Sequence, residues 1–198
     1  MYYQLVIIGC SLGGLNAMRI FLTGLDKRHN TPIVLVQHRD KSPQSSLCST
    51  LQRSTHLIVE EVDDGRQIEG GHLYIAPPGY HLLVEGNGFS LSTDLPVHHA
   101  IPSIDVAFDS ASRSYGSKVV AIVMTSSSTD GAEGAGMVES RGGCVIIQDP
   151  VSAEKATLPR AALSTTKSAK VAKLEDIASL LGNILTAQGG PNARRTPR

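Results

Sequence analysis

Apolar residues fall along this chain in short blocks whose spacing alternates between that of a strand and that of a helix. Leu5, Val6, Ile7 and Ile8 form a β-favouring run, and Leu15, Met18, Leu22 and Leu25 follow at the 3-4-3 spacing of one helix face. Thr31-Pro32 then opens a second apolar strand, Ile33 to Val36, which ends in Gln37-His38. Strand, helix and strand in that order predict a parallel sheet with a right-handed crossover, so the carboxyl ends of both strands emerge on one edge. Ser42-Pro43 supplies an N-cap and a first-turn proline for a short helix in which Leu47 and Leu51 share a face.

Between Leu57 and Leu91 the blocks shorten to Leu57–Val62, Leu73–Ala76, His81–Glu85 and Phe89–Leu91, broken by glycine and proline. Gly86-Asn87-Gly88 makes the last pair a hairpin, and the whole stretch reads as an antiparallel insert at a sheet edge or over one end. Helical spacing returns after Pro102-Ser103, with Ile104, Phe108 and Ala111 inward, and Lys118 to Met124 is a strongly apolar strand. A polar loop, a helix to Arg141, a strand from Cys144 to Gln148 and a short helix from Pro159 follow. The last helix, Leu174 to Leu185, puts Leu174, Ile177, Leu181 and Ile184 on one face. The expected fold is α/β, a doubly wound and mostly parallel sheet with helices on both faces and a small antiparallel hairpin insert. It occupies residues 1–185 as one domain, and the Gly-, Pro- and Arg-rich residues 186–198 read as a disordered tail.

Composition narrows the function. Eighteen basic and eighteen acidic side chains cancel, so no chain-wide field argues for nucleic acid or an anionic membrane surface. Cys10, Cys48 and Cys144 are scattered and odd in number, as suits reduced thiols in a cytoplasm. The first apolar run follows no basic region and is far shorter than the ~20 residues a bilayer span needs, so neither a leader nor an anchor is expected. His98 and His99 are adjacent and point apart on an extended segment, while His29, His56, His72 and His81 lack ligand spacing. No metal and no cofactor is expected.

The candidate chemistry sits where the first strand meets the first helix. Gly9-Cys10-Ser11-Leu12-Gly13 is a G-x-S-x-G pattern, in which small residues let the chain turn sharply while a serine Oγ stands clear of the backbone. The same residues also suit a phosphate-binding loop, or a serine that merely caps the helix. His38 follows the second strand, where a neutral imidazole could accept a serine proton, though a strand-end histidine needs no such role. Asp130 closes Thr125-Ser126-Ser127-Ser128-Thr129 after a third strand, and with Glu133 it also reads as a capping box for the next helix. All three fall on the sheet edge where open α/β folds place their sites. Tyr74 and Tyr80, flanking Pro77-Pro78, suit either a peptide groove or a packed hairpin.

Taken with their neighbours, these residues resemble the catalytic domain of the chemotaxis protein-glutamate methylesterases, the CheB family. The resemblance runs from about Leu5 to about Leu181 and includes VIIGCSLGG at Val6–Gly14, VLVQH at Val34–His38, DDG at Asp63–Gly65 and YIAPPGYHLLVE at Tyr74–Glu85. It continues with PSIDVAF at Pro102–Phe108, TDGAEG at Thr129–Gly134 and RGGCVIIQDP at Arg141–Pro150. It implies a Ser11-His38-Asp130 triad acting on glutamyl methyl esters of a chemoreceptor, with glutamine deamidation by the same steps. Leu12 and Ser127 would supply oxyanion amides, and Ile101, Thr157 and Leu158 would lie in the substrate region. A separate receiver or methyltransferase protein would be a further partner, since the catalytic strand starts near residue 4 and the family's usual receiver domain is expected to be absent. Where the family often reads T-G-M-G-N-D, this chain has Thr125 to Asp130 with serines at both glycine positions. That substitution predicts a strained loop and a slowed esterase, which Ser126→Gly with Ser128→Gly would speed. The competing class is a methylesterase-like interaction module without activity; a nucleotide-binding domain is further off, because the glycines do not read G-x-G-x-x-G.

Overall fold

The computed structural model describes residues 3–39 and 47–187. In chain order its elements are β1 (Leu5–Cys10), α1 (Gly14–Thr23), β2 (Ile33–Gln37), α2 (Leu47–Gln52), β3 (Ile58–Glu61), β4 (His72–Ile75), β5 (His81–Glu85) and β6 (Gly88–Ser92). There follow α3 (Ile104–Tyr115), β7 (Val119–Val123), α4 (Ala132–Ser140), β8 (Cys144–Gln148), α5 (Thr157–Thr165), β9 (Lys170–Ala172) and α6 (Ile177–Ala187). Seven strands pair in the order β3-β4-β2-β1-β7-β8-β9, every pair parallel, and β5 and β6 form a separate antiparallel hairpin.

Alternation along the central strand divides the interior into two cores. Leu5 and Ile7 face α3, α4, α5 and the hairpin, whereas Val6, Ile8 and Cys10 face α1, α2 and α6. All six residues of β1 are buried, as befits a parallel strand covered on both faces. The expected doubly wound α/β architecture is the one observed.

Several elements differ from the sequence reading. Leu57–Val62 and Leu73–Ala76 belong to parallel strands of the main sheet, β3 at its edge and β4 between β3 and β2, because Ile58↔His72 and Ile33↔Leu73 pair there; only the hairpin is antiparallel. Strand β9 carries too few apolar residues to announce itself, and Lys170 and Val171 are exposed. Leu15 is 40% exposed although it shares the spacing of buried Met18 and Leu22, because it sits in the first helical turn beside an open cleft. The Ser42-Pro43 helix start lies outside the described residues, as do residues 188–198 of the expected tail; Thr186 and Ala187 belong to α6.

Strand order reverses at β1: β2 lies on one side of it and β7 on the other. Loops leaving neighbouring strands toward opposite faces open a crevice at such a point. Here the loops are stitched rather than splayed, since Ser11 N–H donates to Thr125 O at 3.0 Å and Thr125 Oγ1 to Leu12 O at 2.9 Å. His38 N–H, at the end of β2, donates to Cys10 O at 3.2 Å.

Candidate active site

Ser11 leaves β1 half-buried on a turn that only a glycine completes easily, for Gly13 has φ 82°. Behind it Gly9 lets α3 approach the sheet: a Cβ there would lie 2.4 Å from Ile104 Cγ2. Ser11, Leu12, His38 and Ser127 line one cleft of about 630 Å³ at this edge. A larger groove of about 760 Å³ lies by the other end of α1, where the imidazole of His29 is engaged with the Thr31 carbonyl at 2.8 Å.

Asp130 is fully buried beneath the cleft, and its carboxylate does not cap α4. The N-cap of α4 is Gly131, with no side-chain cap, so the expected Asp130/Glu133 capping box is absent. Asp130 instead closes the start of α3. Oδ1 accepts from Ser103 Oγ at 2.7 Å and Asp105 N–H at 3.2 Å, and Oδ2 accepts from Ile104 N–H at 2.6 Å and His38 Nε2 at 2.7 Å. Asp105 repays the arrangement by accepting Gly134 N–H of α4 at 2.7 Å, so each helix is capped by a carboxylate from the other's leading segment. Unpaired amides and the positive end of the dipole suit an anion there.

Burial pushes the Asp130 carboxyl up, but donation from His38, Ser103 and the Ile104 amide outweighs it and holds the group below the ordinary carboxylate range. Burial acts the same way on Asp105 and there prevails over the Gly134 and Gly131 amides, with the Asp130 charge adding to the rise. The buried thiol of Cys10, next to Ser11 but on the opposite side of β1, is pushed up to about 12 by burial and is no nucleophile.

With an ionised carboxylate as partner, the Nε2 of a neutral His38 carries the proton and Nδ1 is the basic nitrogen. The ring nitrogens are thus used in the reverse of the serine-protease arrangement, where Nδ1 faces the aspartate. Neither Leu12 N–H nor Ser127 N–H donates to a partner among the described residues, which leaves both amides available at the cleft. No group of three or more His, Cys, Asp or Glu able to hold a metal ion occurs among the described residues.

The serine-rich loop does not need glycine's conformational range. The non-glycine residues with positive φ among those described are His98 and His99, so none of Ser126, Ser127 and Ser128 occupies the left-handed region that favours glycine. Their hydroxyls brace the loop: Ser126 Oγ accepts Ser128 N–H and Ser128 Oγ accepts Asp130 N–H, both at 3.1 Å. Serine therefore replaces glycine freedom with hydrogen bonds, contrary to the expected strain. Ile101, Thr157 and Leu158 do not line the cleft. Ile101 is half-buried before α3, Thr157 is exposed at the start of α5, and Leu158 is fully buried, with its N–H on Ser126 O at 3.3 Å. Leu158 thus supports the loop from behind. Tyr74 is also core rather than groove, buried with its ring edge-on to Phe89; Tyr80 is 40% exposed.

Sequence reading passes over Ser103 and His81. Ser103 is legible as the N-cap of α3, but its donation to Asp130 depends on tertiary placement. His81, from the hairpin, accepts Ser103 N–H at Nδ1 and through Nε2 meets Leu95 O, holding that N-cap from outside.

An open parallel α/β sheet with a hydroxyl, an imidazole and a buried carboxylate gathered at its switch point defines the class as one of hydrolase-like domains. Comparison with known proteins is specific: the CheB methylesterase model matches residues 6–181, and the chain belongs to that family. A Leptospira interrogans protein designated a candidate protein-glutamate methylesterase/protein-glutamine glutaminase is 38% identical over 91% of this chain and 94% of its own length. A Carboxydothermus hydrogenoformans protein-glutamate methylesterase/protein-glutamine glutaminase is 34% identical over 88% of this chain, which spans 53% of that protein. The crystal structure of the Thermotoga maritima CheB methylesterase catalytic domain superposes with a TM-score of 0.86 at 29% identity, covering 91% of this chain and 98% of that one.

Proposed function

We propose that the chain is a cytoplasmic serine hydrolase that removes methyl esters from glutamyl side chains of a chemoreceptor or related signalling protein, and deamidates glutamine by the same steps. The observation that carries this reading is the position of His38, which borders the cleft shared with Ser11 while its Nε2 is held by the buried Asp130 carboxylate. Ser11 Oγ attacks the ester carbonyl as His38 Nδ1 takes its proton, and Asp130 stabilises the imidazolium. The oxyanion that develops is met by the Leu12 and Ser127 amides. His38 then protonates the methoxy group, which leaves as methanol, or the amine of a glutamine, which leaves as ammonia. Water, deprotonated by His38, hydrolyses the acyl-enzyme to a glutamate and restores Ser11. None of the described helices is long and apolar enough to cross a membrane. Incubation with methylated receptor fragments while methanol is assayed tests the proposal. Release that Ser11→Ala abolishes is expected, and equal release by that variant would overturn it.

A further inference from the structure

His98 and His99, expected on an extended segment, close a tight turn instead. Val97 and Ala100 bond reciprocally around them, Val97 N–H to Ala100 O at 3.1 Å and Ala100 N–H to Val97 O at 2.8 Å, with φ 48° at His98 and 62° at His99. Two-residue turns with both φ positive favour asparagine and glycine, so a pair of histidines there is unusual. The turn brings His98 to the start of α3. His98 Nε2 lies 3.7 Å from Asp105 Oδ2, the separation of an ion pair rather than a hydrogen bond, and that buried oxygen has no hydrogen-bond partner among the described residues. Asp105 Oδ1 accepts Gly134 N–H at 2.7 Å, and the Asp105 amide donates to Asp130 Oδ1 at 3.2 Å. Asp105 therefore stands between a half-exposed imidazole and the carboxylate that orients His38.

Resting on the methylesterase reading, we infer that His98 is a positioning residue: its imidazolium pairs with Asp105 Oδ2, keeps that carboxyl ionised, and so leaves Asp130 free to hold His38. Two carboxyl groups at one buried junction do not ionise with equal ease. Burial favours a proton on Asp105, and a side-chain hydrogen bond to Asp130 adds to the rise, so a proton taken up there is directed at Asp130. Such an O–H draws charge from the oxygens on which the imidazole depends. A cation beside Oδ2 opposes it. The other ionisable groups around α3 do not take this part. His81 of β5 is engaged with the Ser103 amide and Leu95 O, His38 meets Asp130 alone, Asp109 is paired with Arg113 and Arg141, and Glu133 of α4 is exposed. Strands β1 and β7 present only apolar side chains to α3. Without the cation, Asp105 keeps its proton to higher pH, and since the protonated form is the slower one, the acid limb of turnover moves upward in pH. The imidazole is half open to water, so the effect is graded and not all-or-none.

The test compares His98→Asn, which suits a positive φ but carries no charge, with His98→Lys, which keeps a cation, in the full chain. Hydrolysis of p-nitrophenyl acetate is followed across pH. His98→Asn is expected to lose roughly three- to tenfold in kcat/KM on the acid limb and to converge on the parent as pH rises, whereas His98→Lys follows the parent throughout. In an Asp105→Asn background, His98→Asn should cost nothing further. A deficit that is the same at every pH, the same for asparagine and lysine, or the same in both backgrounds belongs to the turn alone and would overturn the inference. A second measurement needs neither turnover nor the Asp105→Asn protein. The carbon-13 resonance of the Asp105 carboxyl should titrate roughly half to one pH unit higher in His98→Asn than in the parent, and an unmoved midpoint would overturn the inference equally. Failure of the methylesterase reading looks different: none of these proteins would hydrolyse the ester, while the Asp105 midpoint would still move and the pairing with His98 would stand.

Discussion

His38 Nε2 lies 2.7 Å from Asp130 Oδ2, and that same oxygen accepts the Ile104 amide at 2.6 Å. The carboxylate that orients the imidazole is therefore also the anion that caps α3. Catalytic geometry and fold stability meet in one side chain.

Asp130→Asn is expected to disturb both. An amide cannot accept all four donors now converging on the carboxylate, so at least one buried donor goes unpaired, at a cost of ~1–3 kcal/mol. The imidazole loses the partner that keeps its proton on Nε2, and ester turnover should fall by on the order of 10³–10⁴. Because the folded carboxyl is held below its ordinary value, its contribution is present above about pH 4 and is lost as pH falls through the folded value. Acid titration of the melting temperature should be steeper below pH 4 in the parent than in the variant; parallel curves would count against the assigned shift.

Ser11→Ala separates chemistry from fold. No hydrogen bond from Ser11 Oγ occurs among the described residues, whereas the backbone N–H and C=O that pin the turn to Thr125 and Gly14 survive the substitution. Turnover should drop to background while the melting temperature moves by no more than about 2 °C, since surface changes typically stay within ~0.5 kcal/mol. Calorimetry beside a generic ester assay checks both halves.

Parallel strands and the residues at their ends are legible in the chain because periodicity reports burial directly. Ser11, His38 and Asp130 are accordingly found at one edge from the sequence alone. What hides is set by contacts between distant segments. Asp130 and Asp105 exchange helices across 25 residues, and a local pattern assigns Asp130 to the helix that follows it. Strands β3 and β4 are only four residues each and β3 at the sheet edge is half-exposed, so their turn residues suggest a meander while their pairing is parallel. Leu15 obeys the helix period yet faces the cleft, because the period gives a face and not what covers it.

A second acid-sensitive group lies far from the cleft. His29 is 5% exposed, and burial lowers its imidazole to about 4, against a raising hydrogen bond to Thr31 O and with His56 and Asp26 as charged neighbours. The folded state thus refuses a proton that the unfolded chain accepts below about 6.5, and stability falls as pH drops from 6.5 to 4. Two and a half pH units correspond to about 3 kcal/mol at the limit. His29→Gln, which can still donate toward Thr31 O and does not titrate, should flatten denaturant midpoints across that window. A midpoint that falls equally in both proteins would place the sensitivity elsewhere.

The serine-rich loop gives the sharpest reversal between sequence and structure. Glycine at positions 126 and 128 is expected to help only if serine there is held at an unfavourable φ, and it is not. Ser126 Oγ and Ser128 Oγ each accept an amide of the loop, and the second of those amides belongs to Asp130. Replacing both by glycine removes two hydrogen bonds of ~1 kcal/mol each and adds backbone freedom to the unfolded chain at ~0.4–1 kcal/mol per site. The Ser127 amide and the Asp130 carboxylate would both be less firmly placed. Losing an oxyanion donor outright typically lowers turnover ~10²–10³-fold, and a loosened one should lower it by roughly tenfold or less. Ser126→Gly with Ser128→Gly is therefore expected to slow ester hydrolysis and lower the melting temperature together. If the double variant instead turns over faster than the parent, the hydroxyl bracing is not what holds the loop, and strain in the serine backbone becomes the better account.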